Sequence, residues 1–194
     1  MRTFTAILAL VATASVAQET ETRLIEIGDR ARVRIETSLG NILVELDAIR
    51  APVTVENFLQ YVVDDHYDGT IFHRVAPGFL IQGGGYNPDL TLRPASRKVF
   101  NESGNGLSNL RGTIGMARSN EPHQADSQFY INLADNSNLD PLPTRWGYAV
   151  FGRVVDGMDV VDTIGGVPTG SAGEFDRDVP VEPIVIHQIE LIRE

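Results

Sequence analysis

The chain has no cysteine among its 194 residues. Disulfide staples, thiol nucleophiles and cysteine-rich metal sites are thereby excluded, and the apolar core alone must hold the fold. Lysine is almost missing too: Lys98 is the only one, so positive charge is carried by arginine. Sixteen Lys and Arg against 26 Asp and Glu leave a net charge of −10. Such a surface repels a nucleic-acid backbone. The four histidines, His66, His73, His123 and His187, form no HxH, HxxxH or HExxH pair, so no metal site is expected. A Gly-Xaa-Ser-Xaa-Gly nucleophile elbow is absent, and Gly83-Gly84-Gly85 lacks the Gly-Lys-Ser/Thr of a phosphate-binding loop. Asp64-Asp65 reads as a solvated helix end rather than an acid pair. No cofactor is expected.

Long apolar runs are equally scarce. Phe4 to Ala14 is the one candidate, and it is shorter than the ~20 residues a bilayer span needs. It follows Arg2 and precedes Ser15-Val16-Ala17, an order of charge, apolar stretch and small residues that reads as an export signal cut after Ala17. The expected organisation is a signal peptide over 1–17, a leader over 18–30 and a single domain over 31–194. The mature protein is expected in the periplasm, without a membrane span, with a charge of −11 once Arg2 is lost from the −10 total.

Alternation dominates what is present. Val33, Ile35 and Thr37 alternate with charged residues, Leu39-Gly40-Asn41 turns the chain, and Ile42, Val44 and Leu46 alternate again, which predicts a β-hairpin. Pro52 to Val63 follows, with apolar residues at 55, 58, 59, 62 and 63 behind a proline start, the spacing of an amphipathic helix. Residues 112–117, 128–133, 148–154 and 184–192 read as strands, 157–164 as a second helix, and 165–183 as a surface loop. Many short strands, two helices and no strand-helix-strand rhythm predict a mainly β fold, a closed antiparallel barrel.

One arginine stands out in the apolar, glycine-rich stretch GTIFHRVAPGFLIQGGG, residues 69 to 85. Strand alternation assigns Phe72, Arg74 and Ala76 to one face; Pro77-Gly78 then turns the chain to Phe79, Leu80 and Gln82. A fixed cation beside aromatic and apolar side chains makes a binding groove. An ordinary surface ion pair is the competing explanation for Arg74.

The stretch Phe72 to Gly84 resembles the signature of the cyclophilin-type peptidyl-prolyl cis-trans isomerases. Further blocks resemble that family in order: Phe100-Asn101-Glu102, Asn105 to Asn109, Arg111 to Arg118, Ser127 to Asn132 and Tyr148 to Gly152. The resemblance covers about Ala31 to Ile192. It implies an eight-stranded closed antiparallel barrel capped by two helices, with a groove on its outer face. It also implies a catalytic Arg74, a proline pocket of Phe79, Leu80 and Tyr130, polar contacts from Gln82 and Gln128, and Met116, Ala117, Phe129 and Leu139 in the groove or its support. The implied partners are proline-containing polypeptides, the implied activity is Xaa-Pro isomerisation during folding of exported proteins, and a monomer is expected. A chaperone that holds proline-containing segments, with incidental turnover, is the alternative. A hollow ligand-carrying barrel is disfavoured by the apolar alternation.

Three departures from the family pattern matter. Tyr130 stands where phenylalanine is usual, so its hydroxyl is expected either to reach solvent or to alter the pocket rim. Asn138 replaces a tryptophan of many eukaryotic members, which implies tolerance to cyclosporin. Tyr148 stands where many relatives have histidine, so no proton chemistry is assigned there. His73 is expected to be structural, and Trp146 either anchors the Pro141 to Trp146 loop or leans toward the groove.

Overall fold

The computed structural model describes residues 31–192; the expected signal peptide and leader lie outside them. Ten strands and two helices follow in order: β1 (Arg32–Thr37), β2 (Gly40–Leu46), α1 (Pro52–Val63), β3 (Arg74–Ala76), β4 (Leu80–Gly83), β5 (Thr113–Met116), β6 (Phe129–Asn132), β7 (Val150–Asp156), α2 (Met158–Gly165), β8 (Thr169–Ala172), β9 (Phe175–Pro180) and β10 (Ile186–Ile192). A 3-10 turn, Ser137–Leu139, precedes β7. The expected mainly β fold with two helices is present.

Eight strands form one antiparallel sheet in the order β10-β1-β2-β7-β5-β6-β4-β3. It curls, and its two edge strands share no ladder. The segments leading into them are nevertheless joined. Gly69 N–H donates to Ile186 O at 2.8 Å, Ile186 N–H to Thr70 O at 2.7 Å and Phe72 N–H to Ile184 O at 3.0 Å, around an isolated bridge between Ile71 and Val185.

The inner side of the sheet is filled. Val75, Ile81, Ile131 and Ile114 lie side by side across β3, β4, β6 and β5, and each is fully buried. Helix α1 covers this core with Val55, Phe58, Leu59 and Val62. The Phe58 ring lies 5.2 Å from Tyr67, 5.7 Å from Phe129 and 5.2 Å from Phe151. Each such side chain contributes about 1.5–3 kcal/mol by leaving water. Pro52 starts α1 as expected, and its free N–H groups are satisfied from a distant loop: Glu102 accepts from Thr54 N at 2.7 Å and Thr54 Oγ1 at 2.6 Å.

Two expectations need correction. The first hairpin turns at Ser38-Leu39 rather than 39–41, because Thr37 Oγ1 donates to Gly40 O at 2.7 Å and accepts from Leu39 N at 3.1 Å, tying the tight turn shut. Residues 165–183 are no irregular loop: they contain the separate two-stranded sheet β8–β9. Its alternation is hidden because Gly170 and the polar Ser171, Asp176 and Arg177 lie on exposed positions and only Val179 and Pro180 are buried.

Candidate active site

Strand parity decides which side chains reach the outer face. Arg74 pairs across to Gln82, Gln82 to Tyr130, and Tyr130 to Gly115, giving one row over β3, β4, β6 and β5. Side chains alternate along each strand, so the neighbouring row of Val75, Ile81, Ile131 and Ile114 must point inward, and it does. Leu80 and Gln128 share the outer parity of Gln82 and Tyr130. Leu80, Ala117 and Tyr130 form a small apolar cluster apart from the main core, flanked by Phe79, Leu139 and Tyr148.

The same parity decides between groove and support for two residues. Met116 and Phe129 pair with each other two residues from the Ile114–Ile131 pair, so both face inward. Both belong to the main core, at 2% and 0% exposure, and support the groove without lining it. Phe72 is also in that core, against Phe129 at 6.0 Å, rather than beside Arg74. It precedes β3, so strand alternation does not apply to it.

Beneath the cluster lies a buried polar network. The Tyr130 hydroxyl neither reaches solvent nor meets the rim; it donates to Asn109 Oδ1 at 2.5 Å. Asn109 Nδ2 and its backbone N–H each donate to Asp140 Oδ1 at 2.8 Å. Asn132 Nδ2 donates to Asn109 Oδ1 at 3.3 Å, and Asn136 Nδ2 donates to Asn132 Oδ1 at 2.7 Å and to Phe79 O at 2.8 Å. Burial pushes the Tyr130 phenol far above its ordinary range, so it stays a protonated donor. Gly115 makes room: a Cβ there would run into the Tyr130 hydroxyl. Sequence reading missed this network, whose signal was the recurrence of Asn109, Asn132 and Asn136 beside strand ends.

Arg74 is held more loosely. Its side chain is 34% exposed. Nε–H donates to Asp178 Oδ2 at 3.4 Å, and the guanidinium carbon stands 5.9 Å from the centre of the Phe79 ring. The ion pair named as the competing explanation therefore exists, but it engages only Nε; among the described residues neither terminal nitrogen has a hydrogen-bond partner. Next to Arg74 on the row, Gln82 Nε2 donates to Gln128 Oε1 at 3.1 Å.

Behind the arginine, His73 is buried against Tyr86 at 4.5 Å and Phe175 at 5.8 Å. Its pKa is lowered to about 4, first by burial and then by the neighbouring Arg74 charge. It is neutral at pH 7, as a structural residue should be. At the other end, the Arg118 guanidinium lies 4.5 Å over Tyr148 and donates to the carbonyls of Trp146 and Gly147. Trp146 packs edge-on against His123 at 5.0 Å, and His123 in turn against Phe100, so the tryptophan anchors its loop. Asn138 is exposed on the 3-10 turn, and Arg145 Nη2 donates to its carbonyl at 2.9 Å. A depression lined by Glu45, Arg50, Leu107 and Arg153 shares no residue with this groove. No cluster of potential metal ligands occurs among the described residues.

The sequence model of the cyclophilin type peptidyl-prolyl cis-trans isomerases matches residues 32–191. The chain belongs to that family. Peptidyl-prolyl cis-trans isomerase cyp18 of Streptomyces antibioticus is 52% identical over 163 residues, 82% of this chain and 98% of the relative. Peptidyl-prolyl cis-trans isomerase B of Escherichia coli is 46% identical over 160 residues, 81% of this chain and 97% of the relative. Among solved structures, a Cryptosporidium parvum cyclophilin type isomerase superposes with a TM-score of 0.72 at 28% identity, covering 85% of this chain and 99% of that one. A structure of that protein in the presence of the dipeptide Ala-Pro aligns at 0.71. This cyclophilin is a peptidyl-prolyl cis-trans isomerase, an enzyme that turns Xaa-Pro bonds.

Proposed function

We propose that this cyclophilin accelerates Xaa-Pro isomerisation in exported proteins as they fold, with Arg74 as the catalytic residue. The observation that carries the site assignment is the row Arg74–Gln82–Tyr130, which sets a cation with free terminal nitrogens beside the Leu80, Ala117 and Tyr130 pocket. A proline ring seated on Leu80 and Tyr130, with Phe79 and Leu139 at the sides, stays still while the preceding residue turns. The Cryptosporidium relative has a crystal structure in the presence of the dipeptide Ala-Pro, which carries such a ring.

Rotation must overcome amide resonance, a barrier of about 18–20 kcal/mol. In the twisted state the prolyl nitrogen becomes pyramidal and gains a lone pair. An Arg74 terminal N–H donates to it, and the guanidinium suits the task because its charge is permanent and its donors are rigidly oriented. Uncatalysed exchange takes tens to hundreds of seconds, so a rate near 10³ s⁻¹ needs roughly 7 kcal/mol of barrier reduction. A charge-assisted hydrogen bond supplies about 1.5–3 kcal/mol. Orientation in the pocket, and its preference for the less charge-separated twisted amide, supply the rest. Gln82 and Gln128, already bonded to each other, offer the remaining donors and acceptors to the peptide backbone.

Export rests on Arg2, the apolar stretch and the small residues up to Ala17. The reading includes a monomer and a barrel closed through the bonds between 69–72 and 184–186. The test is exchange spectroscopy on an Ala-Pro peptide with the mature protein. Faster cis-trans exchange, lost in the Arg74→Ala variant, supports the reading; peptide binding without faster exchange favours the holding chaperone. Protein recovered from the periplasm of an exporting host should begin at Gln18, and an intact N-terminus there contradicts the signal assignment.

A further inference from the structure

The hairpin β8–β9 does not join the main sheet, yet it brings a carboxylate to Arg74. Its register is irregular at that point. Between the pairs Gly170–Val179 and Ala172–Phe175, the single residue Ser171 stands opposite Asp176, Arg177 and Asp178. Bulges of this kind redirect side chains and occur beside active sites. Asp178 itself has φ of +67°, the left-handed region, and is the only non-glycine residue with positive φ inside a strand of the described residues. That conformation is strained for most side chains and less so for Asp or Asn.

The hairpin is anchored independently of this contact. Phe175 packs on Tyr86 at 5.1 Å and on His73, the Tyr86 hydroxyl donates to Glu174 at 3.2 Å, and Val179 is buried. The bulge therefore hangs from a fixed base. From it the Asp178 carboxylate, 20% exposed, reaches Nε of Arg74 and stands 3.9 Å from the more exposed Arg177. Bonding at Nε fixes the plane of the guanidinium while leaving both terminal nitrogens to the substrate, whereas bonding at the terminal nitrogens would block them.

We infer that Asp178 is a positioning residue for isomerisation: the β8–β9 bulge holds its carboxylate against Nε of Arg74 and orients the guanidinium toward the prolyl nitrogen. The inference rests on the reading that Arg74 donates to that nitrogen.

Asp178→Asn is the appropriate variant, because asparagine tolerates the same backbone and removes only the charge. Exchange kinetics on an Ala-Pro peptide should show kcat reduced five- to tenfold with KM changed less than twofold. The Nε–H resonance of Arg74 should exchange faster with water in that variant. Asp178→Glu should recover part of the loss. Adding Asp178→Asn to Arg74→Lys should change kcat by less than twofold, since the carboxylate acts through the guanidinium it orients. Unchanged or raised kcat in Asp178→Asn, a loss seen only in KM, or full additivity with Arg74→Lys overturns the positioning role. Should Asp178→Asn fail to fold, Asp178→Gly, which also accepts positive φ, carries the same comparison. Failure of the underlying reading is separate: it appears as full turnover in Arg74→Ala.

Discussion

The two walls of the groove are built by opposite means. On the pocket side, Tyr130 is 2% exposed, its hydroxyl is bonded within the protein, and three asparagines and Asp140 tie it to the loops that carry Phe79 and Leu139. On the arginine side, a 34% exposed side chain rests on one 3.4 Å contact and a ring 5.9 Å away. Under the proposed function, the difference follows from what each wall would do. A pocket that must hold a ring still gains from rigidity, and a fully satisfied buried network confers it. A donor that must follow a nitrogen through rotation needs direction with some freedom.

Variants that separate the walls should show it. Arg74→Ala should have the largest effect, cutting turnover by about two to three orders of magnitude, some 3–4 kcal/mol of transition-state stabilisation, while peptides still bind. Full turnover by a folded variant removes Arg74 from the mechanism. On the 3-10 turn, Asn138→Trp should recover at least part of the about 2–4 kcal/mol of cyclosporin binding that the missing indole costs, from added aromatic area at ~25 cal/mol per Å² and a new N–H donor. Calorimetry that finds no gain, or nanomolar binding by the unaltered protein, shows that Asn138 is not the corresponding position.

Behind Arg74, His73 is neutral in the fold with a pKa of about 4, against 6.5 when unfolded. The unfolded chain therefore takes up a proton first as pH falls. Stability from this residue is complete above about pH 6.5, declines through the window down to about pH 4, and changes no further below it, a total of at most ~3 kcal/mol. Denaturant melts of His73→Phe against the parent should show a flatter pH dependence across that window; parallel curves exclude the effect. Smallest of all, Tyr130→Phe should cost about 1 kcal/mol of stability, because Asn109 Oδ1 still accepts from Asn132, and should leave kcat/KM within a few-fold. A large loss of turnover in that variant gives the hydroxyl a catalytic part that the buried geometry does not.

Legibility differed between the walls as well. Helix α1 was readable residue by residue, since Pro52 and the apolar spacing to Val63 are local signals, and β5, β6, β7 and α2 fell within a few residues of their expected bounds. Arg74, Gln82 and Tyr130 could be named from the sequence, and their shared face follows from parity. Parity applied to adjacent residues would also have shown that Phe129 and Tyr130 cannot both line the groove, and that Met116 and Ala117 cannot either. The hairpin 169–180 was not legible: its strands are polar, short and bulged, so they lack the alternation that marks a strand.

Composition and local pattern alone determined a cysteine-free chain that must rely on its core, a mainly β fold with two helices, and a cation in an apolar stretch. Those properties depend on a residue and its near neighbours. Only the tertiary structure decided that the Tyr130 hydroxyl turns inward to Asn109, 21 positions away, and that Arg74 meets Asp178, 104 positions on. A hydrogen bond or ion pair depends on distances of a few ångströms between side chains. Sequence separation carries no information about such distances until the strands have paired and curled.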